Sequence, residues 1–237
     1  MKIILYIIIS LLSFNSFAII NTSTKASEWK LNINLNFGTA YNLPTYLKIH
    51  QQGFEDIIIP WARYSTKGFK SPVYWDYKLE LEKKNRFYGL RSTHHKLHLV
   101  NTTTEILHFN ISHGYNLVVG YYGWKNKYYD LLIGAGIAFS HPEGIVNGQK
   151  VALEEGIPLI GGVYRLTAPN FEIEARKRFY IYKGIFFSSG IRFVAGYTNP
   201  KIQNGYVKTY PVGIHVAAGL GVDFLNKRSK NNKKDKN

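Results

Sequence analysis

Apolar and polar residues alternate with a period of two along most of the chain after residue 28. This period predicts β-strands with one apolar and one polar face. The first strand shows it clearly, because odd positions 29–37 are aromatic or aliphatic while even positions 30–38 are lysine, asparagine and glycine. The predicted strands cover about 29–38, 74–82, 86–99, 106–121, 129–140, 168–181, 185–195 and 210–224.

The connections between these strands alternate in length. Short turns at one end and long loops at the other are typical of an antiparallel, transmembrane up-and-down β-barrel, and chain ends on the short-turn side require an even strand number. We therefore predict an all-β, eight-stranded barrel with long extracellular loops, and we place the strand-like segment 57–66 outside the membrane. The connections 83–86, 121–127 and 181–184 are short, 100–105 is moderate, and 39–73, 141–167 and 198–209 are long.

Aromatic residues gather near both ends of the predicted strands, as in the two girdles of a membrane barrel. A soluble, lipocalin-like barrel is the alternative, but its polar face would be rich in lysine and glutamate. Here that face is largely small or uncharged, which favours the membrane barrel. The girdle residues are Trp29, Phe87, Tyr88, Tyr121, Tyr122, Trp124, Tyr128, Tyr129, Tyr180, Tyr182 and Phe224 at the short-turn end, and Tyr41, Trp75, Tyr197, Tyr206 and Tyr210 at the other.

The N-terminus has the order of a secretory signal peptide. Lys2 precedes the apolar run 3–12, and Ser16-Phe17-Ala18 places small residues where signal peptidase cuts. The run is too short for a transmembrane helix, which needs about 20 residues. We predict a signal peptide at 1–18 cleaved near Ala18, the alternatives being an uncleaved anchor or a buried helix.

Charge and cysteine content restrict the partners. The chain has 30 Lys+Arg against 15 Asp+Glu and no cysteine, so a disulfide framework and thiolate metal sites are excluded. Residues 226–237 contain no apolar residue and are predicted to be a disordered, basic periplasmic tail that contacts anionic lipid or peptidoglycan. An exported protein does not meet nucleic acid, so the basic charge does not indicate a nucleic-acid partner.

The last predicted strand ends in Ala218-Gly219-Leu220-Gly221-Val222-Asp223-Phe224, although 13 residues follow Phe224. This segment and the barrel plan resemble the small eight-stranded outer-membrane proteins of Gram-negative bacteria. The segments 94–99 (HHKLHL) and 111–116 (ISHGYN) look like an uncharacterised group of bacterial outer-membrane proteins. The resemblance covers most of the mature chain and implies the bacterial outer membrane, insertion by the barrel-assembly machinery and a monomer, but no activity.

Five of the eight histidines lie between residues 94 and 113. A hairpin centred near Thr102-Thr103 gives opposed residues whose numbers sum to about 205. Ser92 then faces His113 on the lipid side with His94 diagonal to it, while His95 and His108 approach each other in the lumen. Slipping this register by one residue exchanges the two faces.

Two readings of this hairpin stay open. In one, Ser92 and His113, with His94, form a nucleophile and base at outer-leaflet depth. Lipid A deacylases of eight-stranded type carry a Ser–His site on that surface, so the resemblance implies a lipid A-modifying hydrolase as an alternative function. Their His-x-Ser motif is absent, and no acidic third member is evident. The sequence leaves open whether the chain is an enzyme, and a protein without enzymatic activity is favoured.

In the other reading the polar face is structural and fills the lumen with ion pairs. Buried charges must be paired, and narrow barrels have filled interiors. A narrow small-solute pore is the remaining alternative. The predicted lumen charges are Asp76, Glu80, Glu82, Arg91, Glu172, Glu174, Arg176, Arg178, Arg192 and Asp223.

None of the histidines is predicted to form a cofactor or metal site. His95 and His108 would need a third ligand such as Asp130, and we predict no metal. His215 is predicted to be a hydrogen-bonded lumen residue, while His50 and His141 are placed in solvated loops.

Lys96 and His98 point outward near the extracellular rim and are predicted to contact lipopolysaccharide phosphates, with plain solvated charge as the alternative. Basic residues of the loops add to this side. The sequence thus predicts a structural, adhesive or lipopolysaccharide-interacting protein of the cell envelope, with loops 39–73 and 141–167 as its binding surface. The basic loop residues are Lys48, Arg63, Lys67, Lys70, Lys150, Arg165 and Lys201.

Overall fold

The computed structural model describes residues 29–153 and 165–225. The predicted signal peptide, the basic tail and residues 154–164 of the third long loop lie outside the described residues. No helix of the described part is long and apolar enough to cross a membrane. The strands are β1 (Lys30–Asn42), β2 (Thr45–Gln51), β3 (Ile57–Ala62), β4 (Tyr64–Ser65), β5 (Trp75–Lys83), β6 (Arg86–Leu99), β7 (Ile106–Lys125), β8 (Asp130–Val146), β9 (Gln149–Lys150), β10 (Arg165–Tyr182), β11 (Ile185–Gly196), β12 (Lys201–Ile202), β13 (Gly205–Thr209) and β14 (Val212–Leu225).

Eight of these strands close into an antiparallel ring, which confirms the predicted fold class. The order around the ring is β1, β5, β6, β7, β8, β10, β11 and β14, and β14 returns to β1. The closing pair runs in unbroken register from Lys30 opposite Leu225 to Asn42 opposite Gly213. The short connections leave β5, β7 and β10 at one end of the barrel, as the loop pattern predicts.

The outside of the ring is a belt of exposed apolar side chains. Such a belt, about 25 Å tall, is what a membrane barrel presents to lipid. Three residues of the predicted girdle, Phe87, Tyr121 and Tyr180, are instead directed inward. Phe87, for example, lies under the guanidinium groups of Arg176 and Arg178. The most exposed belt residues include Leu35, Phe37, Leu79, Leu90, Ile133, Phe171, Ile173, Phe193 and Leu220.

The half of the lumen near the short turns is filled by ion pairs, as predicted. Arg91 pairs with Glu172 and Glu174, and its Nε lies 3.3 Å from Asp76 Oδ2. Lys78, which the prediction omitted, lies 2.7 Å from Glu174. Each of these charges therefore has an opposite partner, and without one it would cost several kcal/mol.

A second layer of that network lies closer to the short turns. Arg176 reaches Glu80 at 3.0 Å and Asp130 at 3.1 Å. Arg178 lies 2.9 Å from Asp130 and 3.0 Å from Glu82. The pairs with Asp130 join β10 to its neighbour β8, whereas the pairs with Glu80 and Glu82 tie β10 to β5, which is not its neighbour in the ring.

The inward face of β7 is apolar, which corrects one predicted face. The register that places His113 on the lipid side also predicts lipid contact for Phe109, Ile111, Leu117 and Val119 of β7, but these four residues are at most 1% exposed and point inward. They pack against a second, four-stranded sheet with the order β12-β13-β2-β3. Because that sheet lies against the inner side of β7, apolar side chains on the inward face of β7 are buried there.

The second sheet is an extension of the barrel itself. β2 follows β1 after Leu43-Pro44, and β13 precedes β14 across Tyr210-Pro211. Leu47, Ile49 and Val207 supply its inner face and are fully or almost fully buried. The segment predicted to extend beyond the membrane forms β3 in this sheet and β4 in the ring, where β4 pairs with β1 and β6.

Candidate functional site

The register between β6 and β7 differs from the predicted one. Ser92 lies opposite Val118 and His95 opposite Tyr115, so opposed residue numbers sum to 210 rather than about 205. Ser92 is therefore about four strand residues, or about 13 Å, from the level of His113. The predicted Ser92–His113 pairing is wrong in this respect, and the side chain of His113 lies outside the described residues.

β7 has a bulge at residues 112–114, and this bulge causes part of the change, since Leu97 opposite Ile111 and His98 opposite Asn110 sum to 208 above it. Ile111 and Tyr115 are opposite Leu97 and His95 on β6, so three residues of β7 lie level with Lys96 alone. On the other side, the same three residues lie level with His141 alone. Bulges bend a strand and redirect side chains, and they are frequent beside functional sites.

Two rows of side chains run across the outer face beside this bulge. The lower row is Trp75, His94, Asn116 and Phe139, and the upper row is Ser65, His98, Asn110 and Glu143, each on adjacent strands. Both rows have the outward parity of their strands. We call the following set the outer-wall polar cluster: His94, Lys96, His98, Asn110, Asn116, His141 and Glu143.

The members of the cluster are held by specific contacts. His94 Nδ1 donates to Asn116 Oδ1 over 2.8 Å, and its ring stacks on Trp75 at 5.8 Å between centroids. His141 Nε2 and Glu143 Oε1 lie 3.3 Å apart. The site thus contains two oriented imidazoles, one beside a carboxylate and one beside an amide.

The Lys96 side chain connects the cluster to the loop before β5. Its ammonium group donates to the backbone carbonyl of Lys70 over 2.7 Å, and the residue is only 2% exposed. The amide of Lys70 in turn donates to the carbonyl of Lys67. Lys96, predicted to be open to lipopolysaccharide, therefore fixes a turn that carries two exposed lysines.

The cluster lies at one level of the barrel. A tilted membrane strand needs about 10 residues to cross the apolar layer. Counted from the short turns, this distance ends near Lys96 on β6, near Asn116 on β7 and near Ser140 on β8. The polar rows therefore begin where the apolar belt ends, at the membrane interface on the side of the long loops.

Other predicted site residues lie elsewhere. Ser92 is on the outer face between Tyr77 and Val118, within the apolar belt. His108 is exposed and has the outward parity, not the predicted lumen position, whereas His95 is buried inside. A metal site shared by these two histidines is therefore excluded, and within residues 29–153 and 165–225 no group of three or more metal-ligating side chains occurs.

The predicted environments of three further histidines are settled by their contacts. His215 lies in the lumen as expected, with Nδ1 3.0 Å from the hydroxyl of Tyr74. His50 lies on the extracellular sheet, 2.6 Å from Asp56. His141 is not a solvated loop residue, because it belongs to β8 and is 8% exposed.

Comparison with known proteins shows a fold and nothing finer. No family model matches the chain, and no curated protein matches it. The outer membrane protein OprG from Pseudomonas aeruginosa superposes with a TM-score of 0.50 at 8% identity, covering 84% of this chain and 98% of that one. The outer membrane protein AlkL in lipid bilayers gives 0.49 at 8% identity over 91% and 100%, and Neisserial surface protein A gives 0.39 at 10% over 85% and 100%.

The chain therefore has the fold of the small bacterial outer-membrane β-barrels, as the sequence resemblance implied. The narrower resemblance through segments 94–99 and 111–116 stays a prediction.

Asn110, Asn116, His141 and Glu143 were not predicted to belong to one site. Part of the signal was present, because Asn116 and His141 are the tenth residue of β7 and the twelfth of β8 counted from their short turn, while Asn110 and Glu143 lie further up the same strands. Counting strand residues from the short turns places these four residues near the same end of the membrane layer. Counting from the hairpin tip near Thr102 does not, since the bulge lies between.

Proposed function

We propose that the protein is an integral protein of the bacterial outer membrane whose outer-wall polar cluster binds the phosphorylated headgroup of lipopolysaccharide. The observation that carries this proposal is the pair of polar rows at the upper edge of an otherwise apolar belt. Polar side chains facing lipid are costly and tend to mark functional positions.

The chemistry of the cluster suits a phosphate. Lys67 and Lys70 are exposed cations beside the upper row, and His98 and Asn110 are half-buried groups able to donate to an anionic oxygen. Bonds from charged donors to phosphate are short and strong. Glu143 faces Asn110 and His141, so its charge lies at the far edge of the site from the lysines.

The filled interior supports a surface role over a pore. Ion pairs occupy the lower lumen and a cluster of apolar side chains packs under the second sheet, so side chains fill much of the described interior. A narrow pore is the less favoured alternative, and planar-bilayer conductance close to zero is expected.

Binding is tested with purified barrel in detergent, titrated with lipid A and followed by native mass spectrometry. The double variant Lys67→Gln/Lys70→Gln should bind at least tenfold more weakly, because one charge-assisted hydrogen bond contributes about 1.5 kcal/mol. The matched control is Lys83→Gln/Lys84→Gln, two turn lysines at the opposite end of the barrel. Equal affinity of all three proteins, or equal binding of dephosphorylated lipid A, contradicts the proposal.

A second candidate function, hydrolysis of an outer-leaflet lipid ester, is favoured by the contact between His141 and Glu143. A carboxylate that orients an imidazole is the arrangement of a general base. Mass spectrometry of lipid A from cells with and without the protein detects a lost acyl chain. If a loss occurs, His141→Ala and Glu143→Gln should abolish it while Ser92→Ala leaves it intact; the opposite pattern restores the Ser92 assignment.

A further inference from the structure

The outward face of the second sheet combines lysine and tyrosine side chains in one array. β2 contributes Tyr46 and Lys48, β13 contributes Lys208, and Tyr197 and Tyr210 flank it. The rings of Tyr46 and Tyr210 lie 6.4 Å apart, and those of Tyr197 and Tyr210 lie 5.3 Å apart. We call these five residues the lysine–tyrosine face.

Two cations lie directly opposite each other within this face. Lys48 and Lys208 are paired residues of adjacent strands, an arrangement that is unfavourable for like charges. Lys48 is compensated by Asp56, whose carboxylate lies 2.6 Å away. Lys208 takes part in no ion pair among the described residues. Its ammonium group lies 5.7 Å and 5.9 Å from the ring centroids of Tyr210 and Tyr197.

Lys208 is charged at neutral pH as an ordinary lysine is, and its hydrogen bond to Tyr210 raises its pKa further. The face therefore offers a persistent cation between exposed aromatic rings. Lysine attracts phosphate as a point charge. Aromatic rings provide flat apolar surfaces on which a pyranose ring can lie.

We propose that the lysine–tyrosine face binds the phosphorylated core oligosaccharide of neighbouring lipopolysaccharide molecules. The position favours this partner, because β2 and β13 continue β1 and β14 upward. Their outward face thus lies just above the membrane interface, at the height of sugars attached to lipid headgroups.

This site is separate from the outer-wall polar cluster. The lysine–tyrosine face lies on the extensions of β1 and β14, whereas the cluster lies on β6, β7 and β8, so the two surfaces share no residue. The inference rests on the proposed outer-membrane location but not on lipid binding by the cluster. The two proposals share that location, but a loss of lipid binding at the cluster leaves this inference standing.

The test is isothermal titration of the full-length, detergent-solubilised barrel with phosphorylated core oligosaccharide from which lipid A has been removed. Lys208→Gln should bind at least tenfold more weakly than the wild type, and Tyr210→Ala should also bind more weakly. The matched control is Lys183→Gln, since Lys183 lies 5.1 Å from the ring of Tyr182 at the opposite end of the barrel. Heat-dependent gel mobility confirms that each variant is folded.

Unchanged affinity of Lys208→Gln, or no binding by the wild type, overturns the proposal. Equal binding of the dephosphorylated oligosaccharide does so as well, and stronger binding of an unrelated acidic polysaccharide overturns the assigned source of the ligand. The Lys67→Gln/Lys70→Gln variant should keep full affinity in this assay; its failure here would mean that core sugars bind at the outer-wall polar cluster instead.

Discussion

Replacing Arg91 by methionine should destabilise the barrel more than any change on its surface. Arg91 is 1% exposed and pairs with Asp76, Glu172 and Glu174. The upper layer of the lumen network holds these three acids and the three bases Lys78, Arg91 and Arg192, so it is electrically neutral. Methionine leaves it with an uncompensated negative charge.

The magnitude follows from this imbalance. Removing one partner of a buried ion pair typically costs 3–5 kcal/mol, so we expect a loss of about that size in the free energy of unfolding. The assay is urea unfolding of the refolded barrel in lipid vesicles, with Arg86→Met as the control. Arg86 lies at the exposed end of the same strand.

A second variant separates charge imbalance from lost packing. Adding Glu174→Gln to Arg91→Met restores neutrality, so the double variant should regain part of the lost stability. A loss below about 1 kcal/mol for Arg91→Met, equal to that of Arg86→Met, would refute the reasoning. So would a double variant whose loss equals the sum of the two single losses.

Three further results are expected. The Asp56 carboxyl should titrate below its ordinary pKa by NMR, because hydrogen bonds from Lys48 and His50 lower that pKa. This local stabilisation is present above the unfolded pKa and disappears as the pH falls through the folded pKa, so Lys48→Gln should raise the titration midpoint and remove the stabilisation at neutral pH, with no effect below the folded pKa. Gly89→Val should reduce heat resistance in gel mobility, since a Cβ at Gly89 would lie 2.4 Å from the Tyr121 hydroxyl; Gly120→Val, where nothing lies near, should not. Unboiled wild-type protein should migrate differently from boiled protein, and identical mobility would argue against a stable barrel.

The sequence predicts the strands and the lumen charges well because period-two alternation is local and assigns each charged residue to one face of its strand. Asp76, Glu80 and Arg91 occupy the face that their parity assigns to them. The same logic fails for the upper part of β7, where an apolar residue is equally suited to lipid and to a packed interior. Only the presence of the second sheet decides between them.

The candidate site was harder to predict because it depends on contacts that are distant in sequence. The connection after β6 is held by Arg63 and Trp61, through bonds to Val100 and Asn101, so it does not form a tight turn at Thr102. The bulge at 112–114 adds residues to one strand only. Neither feature changes the alternation that a sequence reader follows.

The continuity of β1 with β2 and of β13 with β14 links the order of assembly to the extracellular surface. The first and last strands of the ring meet only at closure, and β2 can pair with β13 only when they have met. Until then Leu47, Ile49 and Val207 face water, so an unclosed ring exposes apolar surface that promotes aggregation, and its outer end is open to proteolysis. The extracellular sheet is therefore complete only in a barrel that has closed.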